Sequence, residues 1–268
     1  MKELWVPLSG AIAQQRKVET IANNVANANT PAFKKDQITF KEYIKTLEKG
    51  YDDIDIPNKE WAPEDFYHSY GAESAKVEVD ASYTDFSQGQ LSPSGNPLDV
   101  GLRGKGFLEV QTPNGTRFTR KGILSLRNDG TLVTDSGYPV LKPMTNPDEP
   151  AQARKIIIPP GTKEIAISLK GEVYADGEKI DALSIQEFKD THALRKEGNS
   201  LFVNSKEDNY MATNNTTIHQ GFIEESNVNT VSEMSELIKA HRHFESIQSV
   251  IKTYDQISQK GTNEILKF

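Results

Sequence analysis

Four groups of residues have types and spacings that could do chemistry. The glycines of GLRGKGFLEV, Gly101, Gly104 and Gly106, invite a phosphate loop. Their spacing is not that of a Walker motif, and a strand-like run follows where a helix N-terminus would have to hold the phosphate. Turning one strand into the next suits them better. His241 and His243 stand two apart on a helical pattern and diverge, so they cannot chelate one metal as an i, i+4 pair does, and His68, His192 and His219 are isolated in the sequence. Asp52, Asp53 and Asp55 suggest a calcium loop but lack the central Gly and closing Glu of an EF-hand. Glu224-Glu225 is a carboxylate pair that specifies no glycoside chemistry without geometry. There is no G-x-S-x-G elbow and no HExxH helix. None of the 268 residues is Cys, which removes disulfides, thiolate zinc sites and a cysteine nucleophile together. The expectation is therefore no catalytic residue, no metal and no cofactor.

Composition points the same way. A net charge of −7 argues against nucleic acid, whose binders draw affinity from phosphate neutralisation. A hydrophobic fraction of 36% with mean hydropathy −0.59 is polar for a compact globule, so a sizeable share of the chain is expected to be exposed, extended or completed by a partner. No run of about 18 apolar residues exists to span a bilayer. The start, MKELWVPLSGAIAQQRKVE, lacks the apolar stretch of a secretory leader, so any export is expected to use another route.

The elements divide into a helix, a β-rich middle and a second helix. From Leu4 to Val25, Leu4, Leu8, Ala11, Gln15, Val18, Ala22 and Val25 alternate spacings of four and three, with Ile12 and Ile21 widening the stripe. Thr30-Pro31 ends that pattern. Residues 42–75 are acidic and aperiodic, and their aromatics (Tyr51, Trp61, Phe66, Tyr67 and Tyr70) are expected to dock on the chain's own β domain or on a neighbouring subunit. From Val77 to about Val203 the period is two, punctuated by Asn114-Gly115, Asn128-Asp129-Gly130, Asp135-Ser136-Gly137 and Asp176-Gly177. That predicts an antiparallel sandwich or irregular barrel rather than a parallel βαβ sheet. From Val228 onward, Leu237, Phe244, Ile251, Ser258 and Ile265 recur every seven residues, with Ala240, Ile247, Tyr254 and Gly261 three after each of the first four. Acidic and basic residues balance along this segment, which suits helix-to-helix packing.

Heptad-patterned helices at both ends imply that the ends pair, so the chain enters and leaves the β domain from one side. Apolar residues off the main seam (Trp5, Ile12, Ile21, Met234 and Ile238) would then be left for neighbouring subunits. Packing of the helices on the β domain as plain α+β structure is the other possibility, and the pattern favours the first.

Three segments carry a resemblance. ANNVANANTPAFKK, Ala22 to Lys35, resembles the N-terminal signature of flagellar rod and hook proteins, with Asn23, Asn24, Asn27, Asn29, Thr30, Pro31 and Phe33 matching and Ala32 standing where a Gly is usual. The stretch from Asn96 to Leu141, including Phe118-Thr119-Arg120 and the Asp129-Gly130 turn, resembles the family's β-domain segment. Gln220 to Glu245, with Ser226, Asn227, Val228 and Asn229 leading into a helix, resembles its C-terminal signature. The resemblance implies a structural, non-enzymatic axial subunit of the bacterial flagellar basal body, its terminal helices forming an inner tube and its β domain an outer shell. Its partners would be copies of itself, other rod proteins and the flagellar export apparatus, with no nucleic acid and no small-molecule substrate. The implied location is the rod within the periplasm, reached by export unfolded through the flagellum's own channel. Arg242-His243-Phe244-Glu245 resembles the proximal rod paralogue, with a distal rod or hook-type subunit as the alternative. A cell-wall carbohydrate-binding or hydrolytic β protein is the alternative of another class.

The expected organisation is α+β: paired coiled-coil-like terminal helices (1–33 and 228–268), an extended connector (34–90), a central antiparallel all-β domain (91–205) and a return connector (206–227). The expected assembly interface comprises Leu4, Leu8, Val18, Asn23, Asn24, Val25, Asn27, Asn29, Leu237, Phe244, Ile247, Ile251 and Tyr254.

Overall fold

The computed structural model describes residues 5–45, 74–144, 150–211 and 215–265. Most of the aromatic-bearing stretch 42–75, with Tyr51, Trp61, Phe66, Tyr67 and Tyr70, lies outside them, as does Leu4. The described residues form two compact units. Among them, a helical unit draws on 5–23, 37–45, 74–82 and 231–265, and a β unit on 24–36, 83–144, 150–211 and 215–230.

In the helical unit, α1 spans Trp5–Ala26. Pro7 falls in its first turn, where the missing N–H removes no bond. The covered side of α1 coincides only in part with the apolar stripe expected from the sequence, sharing Ala11, Ile21 and the half-buried Val18 and Val25 with it. Ala11, Ala13 and Ile21 are buried, while Leu8, Gln15 and Ala22 of that stripe are exposed. Gln15 instead donates to Glu19 on the surface, at 3.1 Å. Small residues, Gly10, Ala11 and Ala13, stand on the covered side, and a Cβ placed on Gly10 would meet Ile247 Cδ1 of the second helix at 3.9 Å, ordinary van der Waals contact. Ile21, expected to wait for a neighbouring subunit, is covered by its own chain, at 7% exposure.

Strands β1 (Asp36–Lys45) and β2 (Ser74–Thr84) pair as a two-stranded ribbon, within the stretch taken as an extended connector. The Thr39 hydroxyl donates to the Ala81 carbonyl at 3.2 Å, and Val77 N–H donates to Ser9 Oγ of α1 at 3.3 Å. The second helix, α2, runs from Thr230 to Ile265. Glu233 in its first turn is favoured by the helix dipole. Leu237, Ala240, Phe244, Ile247 and Ile251 are buried or half-buried in an alternating four-three rhythm, whereas residues 252–262 are exposed throughout.

The β unit contains β3 (Leu91–Pro93), β4 (Val100–Arg103), β5 (Phe107–Thr112), β6 (Gly115–Thr119), β7 (Leu124–Leu126) and β8 (Leu132–Thr134). It continues through β9 (Ile165–Ile167), β10 (Glu172–Ala175), β11 (Glu178–Ala182), β12 (Ile185–Phe188), β13 (Leu194–Gly198) and β14 (Leu201–Asn204). β15 (Tyr210–Met211), β16 (Thr217–Gln220) and β17 (Phe222–Glu224) complete it. A six-stranded sheet has the order β13-β14-β6-β5-β12-β15, and β11-β10-β9 form a separate three-stranded meander. β4 pairs with β16, β3 with β17 and β7 with β8. Every registered pair is antiparallel, as the period-two pattern predicts.

The hairpins close where turn residues stand. β10 turns into β11 through Asp176 and Gly177 at φ +51° and +88°, the left-handed pair that matches strand twist. Two clusters fill the core. One gathers Val100, Leu102, Leu108, Val110, Leu124, Leu132, Val140, Ile156, Val173 and Ile218. The other is aromatic: Phe107, Phe118, Phe188 and Phe202, with Phe118 and Phe188 edge to face at 4.9 Å. Between strands, a buried ion pair of Arg154 with Glu109, joined by Ser184 Oγ at 2.6 Å, satisfies charges that the core would otherwise reject.

Candidate assembly site: a chain collar and two helix faces

Within the β unit, three passes of the chain (24–36, 83–90 and 221–230) are knitted into a collar. Helix α1 ends at Ala26, and the chain then turns sharply at Ala32, which is buried and holds φ +58°. This is the position where the flagellar signature usually has Gly, and the left-handed backbone explains that preference. Ala32 N–H donates to Glu224 O at 2.8 Å, Asp85 N–H to Lys35 O at 2.8 Å, and Glu225 N–H to Gln90 O at 2.8 Å. Side-chain amides complete the weave. Asn24 Oδ1 accepts from Asp36 N–H at 3.0 Å, while its Nδ2 donates to Asp36 O at 2.9 Å. Asn227 Oδ1 accepts from Lys35 N–H at 2.8 Å and its Nδ2 donates to Asp85 O at 2.9 Å. Each amide thus imitates a neighbouring strand.

At the centre lies a buried triad, one member from each signature segment. Glu224 Oε1 accepts from Lys34 Nζ at 2.7 Å and from Gly89 N–H at 2.9 Å, and Oε2 accepts from Arg120 Nε at 2.7 Å. Lys34 Nζ also donates to Ser87 O at 2.7 Å. The rest of the Arg120 guanidinium donates to the carbonyls of Gly104 (2.8 Å), Gly106 (2.9 Å) and Leu102 (3.2 Å). The glycine stretch that invites a phosphate therefore does the opposite: its carbonyls cradle a cation. Gly106 must lack a side chain here, since a Cβ would lie 2.7 Å from Thr216 Oγ1. Burial pushes the Lys34 ammonium below its ordinary pKa of 10.5; the Glu224 carboxylate opposes that push and Arg120 reinforces it. All three side chains are at most 2% exposed, and because two cations share one anion, Glu224 is the member whose removal leaves uncompensated buried charge, a loss of about 3–5 kcal/mol.

Lys196, from the β13–β14 hairpin, closes the outside of the collar. Its ammonium sits 3.8 Å from the Phe33 ring centroid, donates to Lys34 O at 2.9 Å and pairs with Asp36 at 2.8 Å.

The helical unit presents a different kind of surface. Leu8 and Ile12 of α1, and Val231, Met234, Ile238, Val250, Tyr254 and Ile257 of α2, are all at least 41% exposed. Of the expected interface residues, Val18, Val25, Leu237, Phe244, Ile247 and Ile251 are half-buried. Leu8, Tyr254, Asn23 and Asn29 are exposed, and Asn27 accepts from Thr30 Oγ1 at 3.2 Å. Asn24, expected to fix register between neighbours, is buried and bonds within its own chain.

Lys34, Arg120, Glu224, Asn227 and Lys196 were not among the expected site residues. The first four sit inside the signature segments, but charge partners 104 and 190 residues apart leave no local pattern. Among the described residues no group of three or more metal-ligating side chains gathers, and no helix is long and apolar enough to cross a membrane.

Comparison with known proteins follows the same segments. Residues 6–34 match the model of the flagella basal body rod protein family. Residues 101–175 match the flagellar hook protein FlgE/F/G D1 domain, and 219–264 the flagellar basal body rod FlgEFG protein C-terminal region. The flagellar basal-body rod protein FlgG of Bacillus subtilis is 30% identical over 279 residues, covering 98% of both chains. This chain belongs to the flagellar basal-body rod protein family. Caulobacter vibrioides has two further relatives, a FlgF at 27% identity covering 98% of both chains and a FlgG at 30% covering 97% of both. Each charged member of the triad falls in a different one of the three rod-family stretches: Lys34 closes the first, Arg120 lies in the second and Glu224 in the third.

Proposed function

We propose that this chain is a structural subunit of the flagellar basal-body rod, assembling helically through α1 and α2 into a shaft that transmits torque and encloses the export channel. The observation that carries this reading is the apolar surface of the two terminal helices. Leu8, Ile12, Val231, Met234, Ile238 and Ile257 stand largely in water in the single chain. Covering the part of each that is still exposed would contribute roughly 1–2 kcal/mol, enough in sum to drive association. Subunits repeating through one heterologous contact that does not close on itself make a helical tube.

In this reading α1 and α2 pair antiparallel. Gly10 lies 16 residues before the end of α1 (26 − 10), and its neighbour Ile247 lies 17 after the start of α2 (247 − 230). The half-buried residues Val18, Val25, Leu237, Phe244, Ile247 and Ile251 line that pairing and its edges, and Leu8, Tyr254, Asn23 and Asn29 are offered to neighbours. Leu4 belongs to the same reading but lies outside the described residues. The partners are copies of this chain and other rod proteins, and delivery is through the flagellar export apparatus to the periplasmic rod. Arg242-His243-Phe244-Glu245 favours the proximal segment.

The test is imaging of basal bodies isolated from cells carrying an epitope-tagged chain. Label at the membrane-proximal part of the rod is expected. Label confined to the distal rod or hook would overturn the proximal assignment, and basal bodies free of label from motile cells would overturn the function.

A further inference from the structure

We propose that the Lys34–Arg120–Glu224 triad is an order-of-folding lock: the collar closes only when the C-terminal pass 221–230 docks, because that pass brings the single carboxylate that two earlier cations share. Among the described residues, neither Lys34 nor Arg120 forms an ion pair with any other carboxylate. Arg120 needs nothing from the N-terminal pass, because the carbonyls of Leu102, Gly104 and Gly106 hold its guanidinium locally. Lys34 differs. Without Glu224 its ammonium would be buried beside that guanidinium, with Ser87 O as its remaining hydrogen-bond acceptor and the Asp85 carboxylate, which makes no ion pair with it, as the remaining and weaker opposite charge. Two like charges in a buried site are strongly disfavoured, so Asp85 N–H, Thr84 and Lys196 alone do not hold pass 24–36 stably in place.

Chain order sharpens the effect. The cations stand at 34 and 120 and the anion at 224, so a chain made from its N-terminus acquires the counter-ion last. The same late pass supplies backbone and amide partners, Glu224 O to Ala32 N–H and Asn227 Oδ1 to Lys35 N–H. The last turn of α1, tied to Asp36 through Asn24, is therefore anchored only after the C-terminal pass has arrived. This device holds whatever the helices assemble with.

The test is amide hydrogen exchange on the full chain. In pulse-labelled refolding, the amides of Ala32, Lys35, Asp85 and Gly89 should become protected together, later than those of Val110, Leu132 and Val140. In native-state exchange, Glu224→Gln should accelerate the four collar amides about 100-fold while the three core amides change less than about threefold. Adding Lys34→Met to Glu224→Gln should recover about tenfold of that loss, since the stranded cation is gone. Collar and core protected in one step, a loss spread equally into the core, or no recovery in the double variant would each overturn the proposal. The refolding order needs no variant, so it decides the matter even if Glu224→Gln does not fold.

Discussion

Lys34 illustrates how one buried charge sets a measurable property of this chain. Burial lowers its pKa from the ordinary 10.5, so the unfolded chain binds that proton more tightly than the folded one. Below the folded value both states are charged and the full penalty stands. Between the folded value and 10.5 the unfolded state holds more protons, so folding stability rises with pH. Denaturant titrations of wild type and Lys34→Met should therefore diverge in favour of wild type as pH climbs toward 10.5, and a constant difference would contradict the assignment. Ala32 supplies a second residue-scale prediction. It is 1% exposed at φ +58°, a conformation that a β-branched side chain resists. Ala32→Val should destabilise the β unit by about 2 kcal/mol or more, read as a lowered denaturation midpoint at unchanged m-value. The need for special backbone at residue 32 was legible, because Ala stood in a motif that prefers Gly. The triad was not: nothing local distinguishes Lys34 from Lys35, yet the first is fully buried against Glu224 and the second is half-buried.

At the scale of elements, the two helices differ in how well their sequences announced them. The seam of α2 was visible because bulky residues mark it at a 3.5 spacing, and Leu237 through Ile251 are covered in that rhythm. The covered face of α1 was placed only in part: Ala11 stood in the expected stripe, whereas Gly10 and Ala13 weigh little in an apolar pattern although they lie on the covered side. Hairpin turns were legible from Asn-Gly and Asp-Gly pairs. The order β13-β14-β6-β5-β12-β15 was not, since it joins strands remote in the chain. Two substitutions separate the uses of α2. Ile247→Asp, on the half-buried seam, should leave the β unit folded but abolish assembly, because an unpaired carboxylate there costs several kcal/mol. Near-native β-unit exchange protection with no incorporation into rods is the expected pair of results. Ile238→Lys, at a position 55% exposed, should leave the melting of the free chain within about 0.5 kcal/mol of wild type. It should weaken association by roughly 1–2 kcal/mol per contact, which sedimentation would register. Unchanged association would remove Ile238 from the interface.

Taken whole, the molecule carries −7 charge yet leaves apolar side chains on both terminal helices in contact with water. Association driven by covering them should strengthen in sulfate and show a negative heat-capacity change by calorimetry, whereas contacts made mainly of charges would weaken with salt. The collar has a mechanical corollary. Passes 24–36 and 221–230 are stitched directly to each other, by Ala32 N–H to Glu224 O and by Lys34 to the Glu224 carboxylate. Tension applied between the two ends of the polypeptide would cross at that stitch and bypass everything between residues 36 and 221. The large sheet then hangs as a closed loop beside the line of force, shielded from stretching for as long as Glu224 and Asn227 keep their grip.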